Sequence, residues 1–439
     1  MGRYLLAASA IPGHALPMAR IGAELVRRGH RVRLVTGRAF TELATRRGLP
    51  MEPLPRAAEV SAVENLHSRS RVLRRWRTGR AELRSVFVTP LAAQYAALRA
   101  AIERDTVDAV LVDIAFTGAI PLLLAEQPRP ATLVCGLGPL LLSSADTAPF
   151  GTGWRPRRGM PYPMMNRFTH GILFRDVQAQ LDAILTSLTG RRAPVFLTDW
   201  PMLADRILQL TVPAFEYPRR DLPASVVFTG PLPAEEDGAD EFPAPLGRRR
   251  LHVTQGTWDN TDTNQLIVPT LMALDGRDDL EVIVTTGRAE PLPVVPPANA
   301  RIVEYCSYAA LLPTVDVMIT NGGYGGVHAA LAHGIPLVVA GDTADKPEVA
   351  ARVAQAGAGV ALHTSRPAPQ DIAAAVDRVL NTASYQRAAQ RLARDILATR
   401  PFDTIERALT AYDHSDSIRS REYPILRSQS PSRRAEECS

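Results

Sequence analysis

Thr320-Asn321-Gly322-Gly323-Tyr324-Gly325-Gly326-Val327-His328 stands between an apolar β-type run, Val315 to Thr320, and a helix-type stretch that ends near Gly334. A glycine-rich turn between a strand and a helix leaves backbone N–H groups unpaired at the positive end of the helix dipole. Such an end can cradle a diphosphate without a metal. The same glycines also suit a plain tight turn that needs positive φ, so the turn alone leaves both readings open. Its neighbours favour the first. Gln255-Gly256-Thr257 follows another apolar run, Leu251 to Thr254, and Asp342-Thr343-Ala344-Asp345-Lys346-Pro347 follows a third, Pro336 to Ala340. In an open α/β sheet the loops after the strands face the ligand, so all three segments point into one cleft.

The same rhythm of strand and helix runs along the whole chain. In the first half, apolar runs at Tyr4 to Ala10, Arg31 to Thr36, Ala109 to Asp113 and Ala131 to Leu137 alternate with helix-type patterns at Ala19 to Arg28, Phe40 to Arg47 and Gly118 to Glu126. In the second half, runs that include Leu280 to Thr286 and Val360 to His363 alternate with Leu266 to Leu274, Ala329 to Ala332, Val349 to Gln355 and Ile372 to Leu380. Strands separated by helices imply parallel βαβ units. A chain of 439 residues exceeds one compact core and suits two domains of roughly 200 residues each. The reading is therefore α/β, with two doubly wound Rossmann-like domains at 1–220 and 251–400 facing across a cleft. Residues 221–250, rich in proline, acid and small side chains, read as a linker. Residues 401–414 read as a C-terminal helix able to return to the first domain, and 415–439, polar and rich in serine and arginine, as a disordered tail.

A hydrophobic content of 46% with 22% charged residues is ordinary for a globular chain, and no stretch approaches the ~20 unbroken apolar residues of a membrane span. The apolar start runs into Pro12-Gly13-His14 rather than a small-residue cleavage site, so it reads as a buried strand and not a secretory leader. Cys135, Cys306 and Cys438 fit neither a metal-ligand spacing nor a disulfide framework, so a reducing, cytoplasmic setting is expected. The net charge of +5 is spread along the chain rather than stacked against aromatics, which argues against nucleic acid. Nearly every basic residue is arginine. Lys346 is the only lysine, and it stands in a candidate cleft loop.

From Tyr305 to Lys346 the chain resembles the signature region of the family 1 nucleotide-sugar glycosyltransferases. That pattern runs through an aromatic, Pro-Gln, an apolar strand, a His-Gly-Gly turn, Gly-Val-Pro and an Asp/Glu-Gln pair. The resemblance covers both domains and implies the GT-B architecture. By it, Tyr305, with Cys306 beside it, takes the place of the residue that stacks on the donor base, and Ser307-Tyr308 that of Pro-Gln. Asn321 stands where the family has a diphosphate-binding His; its amide donates one hydrogen bond but brings no charge. Ala329 stands where a Glu holds the ribose hydroxyls, which favours a dTDP-sugar over a UDP-sugar. Asp345-Lys346 takes the place of the pair that holds the donor sugar. An ammonium there donates to a sugar hydroxyl or approaches the diphosphate, restoring part of the charge lost at Asn321; the plainer reading is a solvated helix start. The turn ending at His328 is also similar to that of the macrolide deoxysugar transferases. The implied donor set is Gly256, Thr257, Tyr305, Cys306, Asn321, Gly322, Gly323, Gly325, Gly326, Asp345 and Lys346. No cofactor is expected beyond the nucleotide sugar as co-substrate, and no metal, since the cleft loops hold no Asp-x-Asp clamp.

Sugar transfer to an alcohol needs a base for the acceptor proton, and a histidine of pKa about 6.5 suits the task. His14, in Pro12-Gly13-His14-Ala15-Leu16-Pro17, lies between the first strand and the helix from Ala19 to Arg28, on the ligand edge. In the family, Gly-His-x-x-Pro in this loop carries the catalytic base, and Arg28-Gly29-His30-Arg31-Val32 matches the Arg-Gly-His-x-Val that follows. Asp113 occupies the place of the family's base-orienting Asp, where a carboxylate would fix the imidazole tautomer and stabilise the imidazolium; a helix cap is the plainer reading. His30 reads as structural. The resemblance implies a single displacement with inversion. Ser68 to Arg84, arginine-rich around Val72, Leu73 and Trp76, and Phe150 to Phe168, with Trp154 and Tyr162, fall where variable acceptor loops lie. Such loops suit a small hydrophobic natural-product acceptor. The rivals are a membrane-associated lipid glycosyltransferase resting its arginines on anionic lipid, a nucleotide-sugar epimerase with Asp345 as its one evident carboxylate, and a non-catalytic accessory protein, suggested by Asn321 and Ala329. A monomer or homodimer is expected, with an accessory protein as the alternative partner.

Overall fold

The computed structural model describes residues 1–60, 71–126, 128–235, 241–245, 247–256 and 260–412. Thr257, Ser68, Cys438 and the tail 415–439 lie outside the described residues. Two parallel sheets organise the chain. The first contains β1 (Arg3–Ala7), β2 (Arg31–Thr36), β3 (Met51–Pro53), β4 (Ala109–Asp113), β5 (Ala131–Gly136), β6 (Arg206–Gln209) and β7 (Val226–Phe228), in the order β3-β2-β1-β4-β5-β6-β7. The second contains β8 (Arg249–Thr254), β9 (Leu280–Thr285), β10 (Ala300–Val303), β11 (Val317–Thr320), β12 (Leu337–Val339) and β13 (Gly359–Ala361), in the order β10-β9-β8-β11-β12-β13. Helices cover both faces, which is why the central strands are unbroken apolar runs: every residue of β4 and β11 is buried. In each sheet the strand order reverses beside its first strand, between β1 and β4 and between β8 and β11. Ligands bind in the crevice at such switch points.

Four short strands escaped the sequence pattern, and one of them corrects a boundary. β7 pairs in parallel with β6, Leu208 opposite Val227, inside the segment 221–250 read as linker. Three residues between Pro223 and Pro231 are too few to show a period, so the sheet edge looked like a connection. Nor are the stretches on either side of it slack. Val212, Phe215 and Phe242 are buried in the core of the second domain.

A second correction concerns the first helix, which begins at Pro12 rather than Ala19 and runs to Arg27. Pro12 is compatible with a first turn because its missing N–H would be unpaired there. Pro17 lies inside the helix, a position where proline is ordinarily disfavoured. His14 therefore sits in a helical first turn and not in a loop.

The last helix, Pro401–Thr410, packs on the first domain. Ile405 and Leu409 join the core formed by Tyr4, Leu6, Leu34 and Leu111. Arg28 binds Asp403 at 2.8 Å and Glu406 at 2.5 Å, and His30 Nε2 meets Glu406 at 2.9 Å. Among the described residues one helical run, Trp76–Arg104, is long and apolar enough to cross a membrane by length and composition. Val88, Leu91, Leu98 and Ala101 of that run are buried in the core of the first domain.

Candidate active site

The switch point of the first sheet holds His14 and Asp113. Asp113 ends β4 with no exposure, and Ser9, just beyond β1, donates its N–H to Asp113 Oδ2 at 2.5 Å. Asp113 Oδ1 accepts the N–H of Ala115 at 2.7 Å and lies 2.6 Å from His14 Nδ1. The carboxylate thus closes its own turn and holds the ring, and it caps no helix: the short helix that follows begins after Phe116 without a side-chain cap. With Nδ1–H donated to Asp113, the other nitrogen, Nε2, is left unprotonated in the neutral ring. The His14 side chain is 21% exposed. Burial opposes the imidazolium, but the charge and hydrogen bond of Asp113, with the charge of Asp345, outweigh it, and the His14 pKa is raised above its ordinary value.

Asp345 reaches this group from the other domain. An ideal Cβ built on Gly138, in the loop after β5, would lie 3.3 Å from Asp345 Oδ2. Burial raises the pKa of the Asp345 carboxyl, opposed by the charges of Lys346 and His14. The site therefore brings His14, Asp113 and Asp345 together across the cleft.

The switch point of the second sheet carries the glycine turns. Gly256 (φ +72°) follows β8 and Gly322 (φ +94°) follows β11; both lie where a side chain would be strained. At Gly322 a Cβ would also come within 2.9 Å of Val339. The helix Tyr324–Ala332 starts directly after Gly323, and its first intrahelical bond of this type runs from Val327 N to Gly323 O at 3.0 Å. The N–H groups of Tyr324, Gly325 and Gly326 thus stand at an open helix end. Nothing lies within 4 Å of a Cβ built on Gly325, whereas at Gly326 the Tyr308 hydroxyl lies at 3.7 Å. Lys346 packs its stem beside the same turn: a Cβ on Gly341 would meet Lys346 Cβ at 2.9 Å, and one on Gly322 would meet it at 3.6 Å. Lys346 Nζ donates to Thr343 Oγ1 at 3.3 Å.

Three candidate donor residues sit differently from the sequence reading. The Asn321 amide donates to the Gln255 carbonyl across the β8/β11 pair. Its Oδ1, buried and without a partner among the described residues, is the atom turned toward Gly256 and Gly323. Asn321 therefore ties two loops together and presents an acceptor, not a donor, to the slot. Cys306 is buried in the core of the second domain, whereas Tyr305, beyond β10, is 72% exposed. The Lys346 side chain, read in one alternative as solvated, is buried. Thr257 lies outside the described residues.

The structure adds a set of contacts between domains that no motif announced. His328 Nδ1–H donates to the Tyr324 carbonyl at 2.9 Å, so Nε2 accepts from the Thr211 hydroxyl at 2.6 Å. Burial pulls the His328 pKa down to about 4, so the ring stays neutral. Gln209 Nε2 donates across to the Tyr324 hydroxyl at 3.3 Å and, within its own domain, to Gly138 O at 2.6 Å. Ala344, at φ +50°, donates its N–H to Glu82 at 3.3 Å. Arg352 joins Glu216 at 2.8 Å and Glu348 at 3.0 Å, all three buried. Glu348 and Arg352 stand four apart, a spacing legible as a surface helix pair; burial between domains was not legible. Among the described residues no group of His, Cys, Asp and Glu is arranged to hold a metal ion.

Two Rossmann-like domains that turn their switch points to one cleft, a His-Asp pair on one side and glycine turns on the other, define a GT-B glycosyltransferase. Residues 269–410 match the family model described as "Erythromycin biosynthesis protein CIII-like, C-terminal domain". The chain is 38% identical to 4'-demethylrebeccamycin synthase of Lentzea aerocolonigenes, over 91% of this chain and 96% of that enzyme. It is 31% identical to UDP-glucosyltransferase A1 of Starmerella bombicola, over 96% of this chain and 94% of the relative. Spinosyn rhamnosyltransferase SpnG, solved with thymidine diphosphate, superposes with a TM-score of 0.65 at 19% identity, over 93% of this chain and 100% of that one. The chain belongs to the family 1 GT-B glycosyltransferases, among the natural-product enzymes.

Proposed function

We propose that the enzyme moves a sugar from a nucleoside-diphosphate donor to a hydroxyl of a small hydrophobic acceptor by single displacement with inversion, with His14 as the general base. The observation that carries this reading is the 2.6 Å contact between His14 Nδ1 and Asp113 at the switch point, with Asp345 of the donor-side domain facing the same ring. Asp113 holds the ring so that Nε2 takes the acceptor proton, and it stabilises the imidazolium that results. The open helix end at Tyr324 and the Lys346 ammonium stabilise the departing diphosphate, with no metal in the reaction. Among the acceptor-side arginines, Arg80 and Arg84 both bind Asp176, and Arg80 lies over Trp76 at 4.6 Å. Arginines spent in this way favour a packed acceptor wall over a lipid-facing patch.

For the donor base, position 329 carries no carboxylate to hold a ribose 2′-hydroxyl, which supports a dTDP-sugar. The name of the Starmerella relative supports a UDP-sugar. Calorimetric titration with dTDP, UDP and GDP, run beside Lys346→Ala, decides between them. Losing a charge-assisted contact to the diphosphate weakens the preferred nucleotide by about 10- to 100-fold. Binding of no nucleotide by the wild type would turn the reading toward a non-catalytic accessory protein.

The base role also sets a pH dependence. The working form is the unprotonated ring, so kcat/KM rises with pH through a His14 pKa held above its ordinary value. In Asp113→Asn the charge that raises that pKa is gone while burial and the helix N-terminus remain, both of which disfavour the imidazolium. The acidic limb of the pH–rate profile therefore moves to lower pH even as kcat falls. A limb that stays in place would remove Asp113 from the base's environment.

A further inference from the structure

We propose that Glu348 is a positioning residue of the transfer reaction: it ties the loop after β5, on the acceptor side, to the helix that begins with the donor-side Lys346. The proposal rests on the reading of Asp345 and Lys346 as donor contacts. An acid in the first turn of a helix ordinarily serves its own helix end. Glu348, in the first turn of Lys346–Ala356, is used otherwise. Its Oε1 accepts two N–H groups of the other domain, from Gly151 at 2.9 Å and Gly153 at 2.7 Å. Its Oε2 is held by Arg352 at 3.0 Å, and Arg352 is anchored in turn by Glu216 at 2.8 Å. Both oxygens are thus committed, and the side chain is 5% exposed.

The loop is shaped to receive it. Gly153 has φ +63°, and a Cβ there would lie 2.9 Å from both the Cβ and the carbonyl of Pro347. The loop backbone therefore rests directly on the residue next to Lys346. Trp154 follows, 54% exposed. Two carboxylate-to-amide bonds and one glycine-sized contact thus place this aromatic segment relative to the donor pair. A displacement of the helix start on nucleotide binding is passed to the loop across a single residue.

The test uses the full chain as wild type, Glu348→Ala and Gly153→Ala, which disturb the contact from its two sides. Gly153→Ala changes no residue of the donor-side domain. Arg157 and Arg158, both exposed just past the loop, make it visible to trypsin, and mass spectrometry reads cleavage after each. In the wild type cleavage there is slow, and slower with the nucleotide that binds by calorimetry. In both variants it speeds up by about tenfold, the effect of losing roughly one hydrogen bond to a charged acceptor. It also stops responding to nucleotide, read at concentrations that saturate each variant by calorimetry. Glu348→Gln, which retains an acceptor oxygen for the glycine amides, restores part of the protection. A purely structural role would instead speed cleavage along the whole chain. Wild-type cleavage rates at this loop in both variants, or a preserved response to nucleotide, overturn the proposal. If the wild type binds no nucleotide, the transferase reading fails, and the nucleotide-free cleavage rates still judge the contact.

Discussion

Replacing His14 with alanine lowers kcat/KM for transfer to an aliphatic alcohol by about 10²- to 10⁴-fold, the usual contribution of a positioned base, and leaves nucleotide affinity unchanged. The separation follows from geometry. His14 belongs to the first turn of the helix Pro12–Arg27 and its side chain hydrogen-bonds Asp113 of its own domain, with the charge of Asp345 reaching it across the cleft. The glycine turns at Gly256 and Gly322 lie in the other domain. The chemistry adds a sharper discriminator. An aliphatic alcohol holds its proton far above neutral pH, whereas an acidic phenol is already partly ionised. The loss in His14→Ala is therefore expected to shrink for a phenol acceptor of low pKa. Equal losses for both acceptors would point to a role in binding or packing instead of proton transfer.

The largest stability effect is expected at Arg352. Its guanidinium is 1% exposed between Glu216, at 2%, and Glu348, at 5%, and it lies 4.4 Å over the ring of Tyr217. Arg352→Ala strands two buried carboxylates, which costs about 3–5 kcal/mol. Denaturant unfolding reads the loss as a lower midpoint. A control separates charge stranding from lost packing. Arg352→Met combined with Glu216→Gln and Glu348→Gln removes the three coupled charges together, and it is expected to recover most of the loss. A triple variant as unstable as Arg352→Ala would assign the effect to the guanidinium's packing on Tyr217.

What could be read from the sequence was whatever repeats or stands next to its partner. β4 has the ends its apolar run announced, because a strand covered on both faces is written as a continuous apolar stretch. The glycine turn was legible because positive φ and a helix start need particular residues at fixed offsets. The edge strands β3, β7 and β10 are three or four residues long and carry no period. Pro17 hid the true start of the first helix. The contacts of Thr211 with His328, Gln209 with Tyr324 and Glu348 with the glycine amides each join single polar residues far apart in the chain. Nothing local distinguishes such a residue from a solvated one. Asn321 shows the same limit in small: its position was evident, but which side of the amide faces the slot depends on the Gln255 carbonyl beside it.

The helix Pro401–Thr410 makes the polypeptide cross from one domain to the other and back. The first domain's core is completed by this late helix, through Ile405 and Leu409. The two halves are therefore not exchangeable cassettes. A hybrid enzyme joined only at the segment between β7 and β8 would bring a foreign final helix against Arg28 and His30, where Asp403 and Glu406 now sit. Grafting a new acceptor specificity onto this donor-side domain requires two junctions, with the terminal helix travelling alongside the first domain it completes.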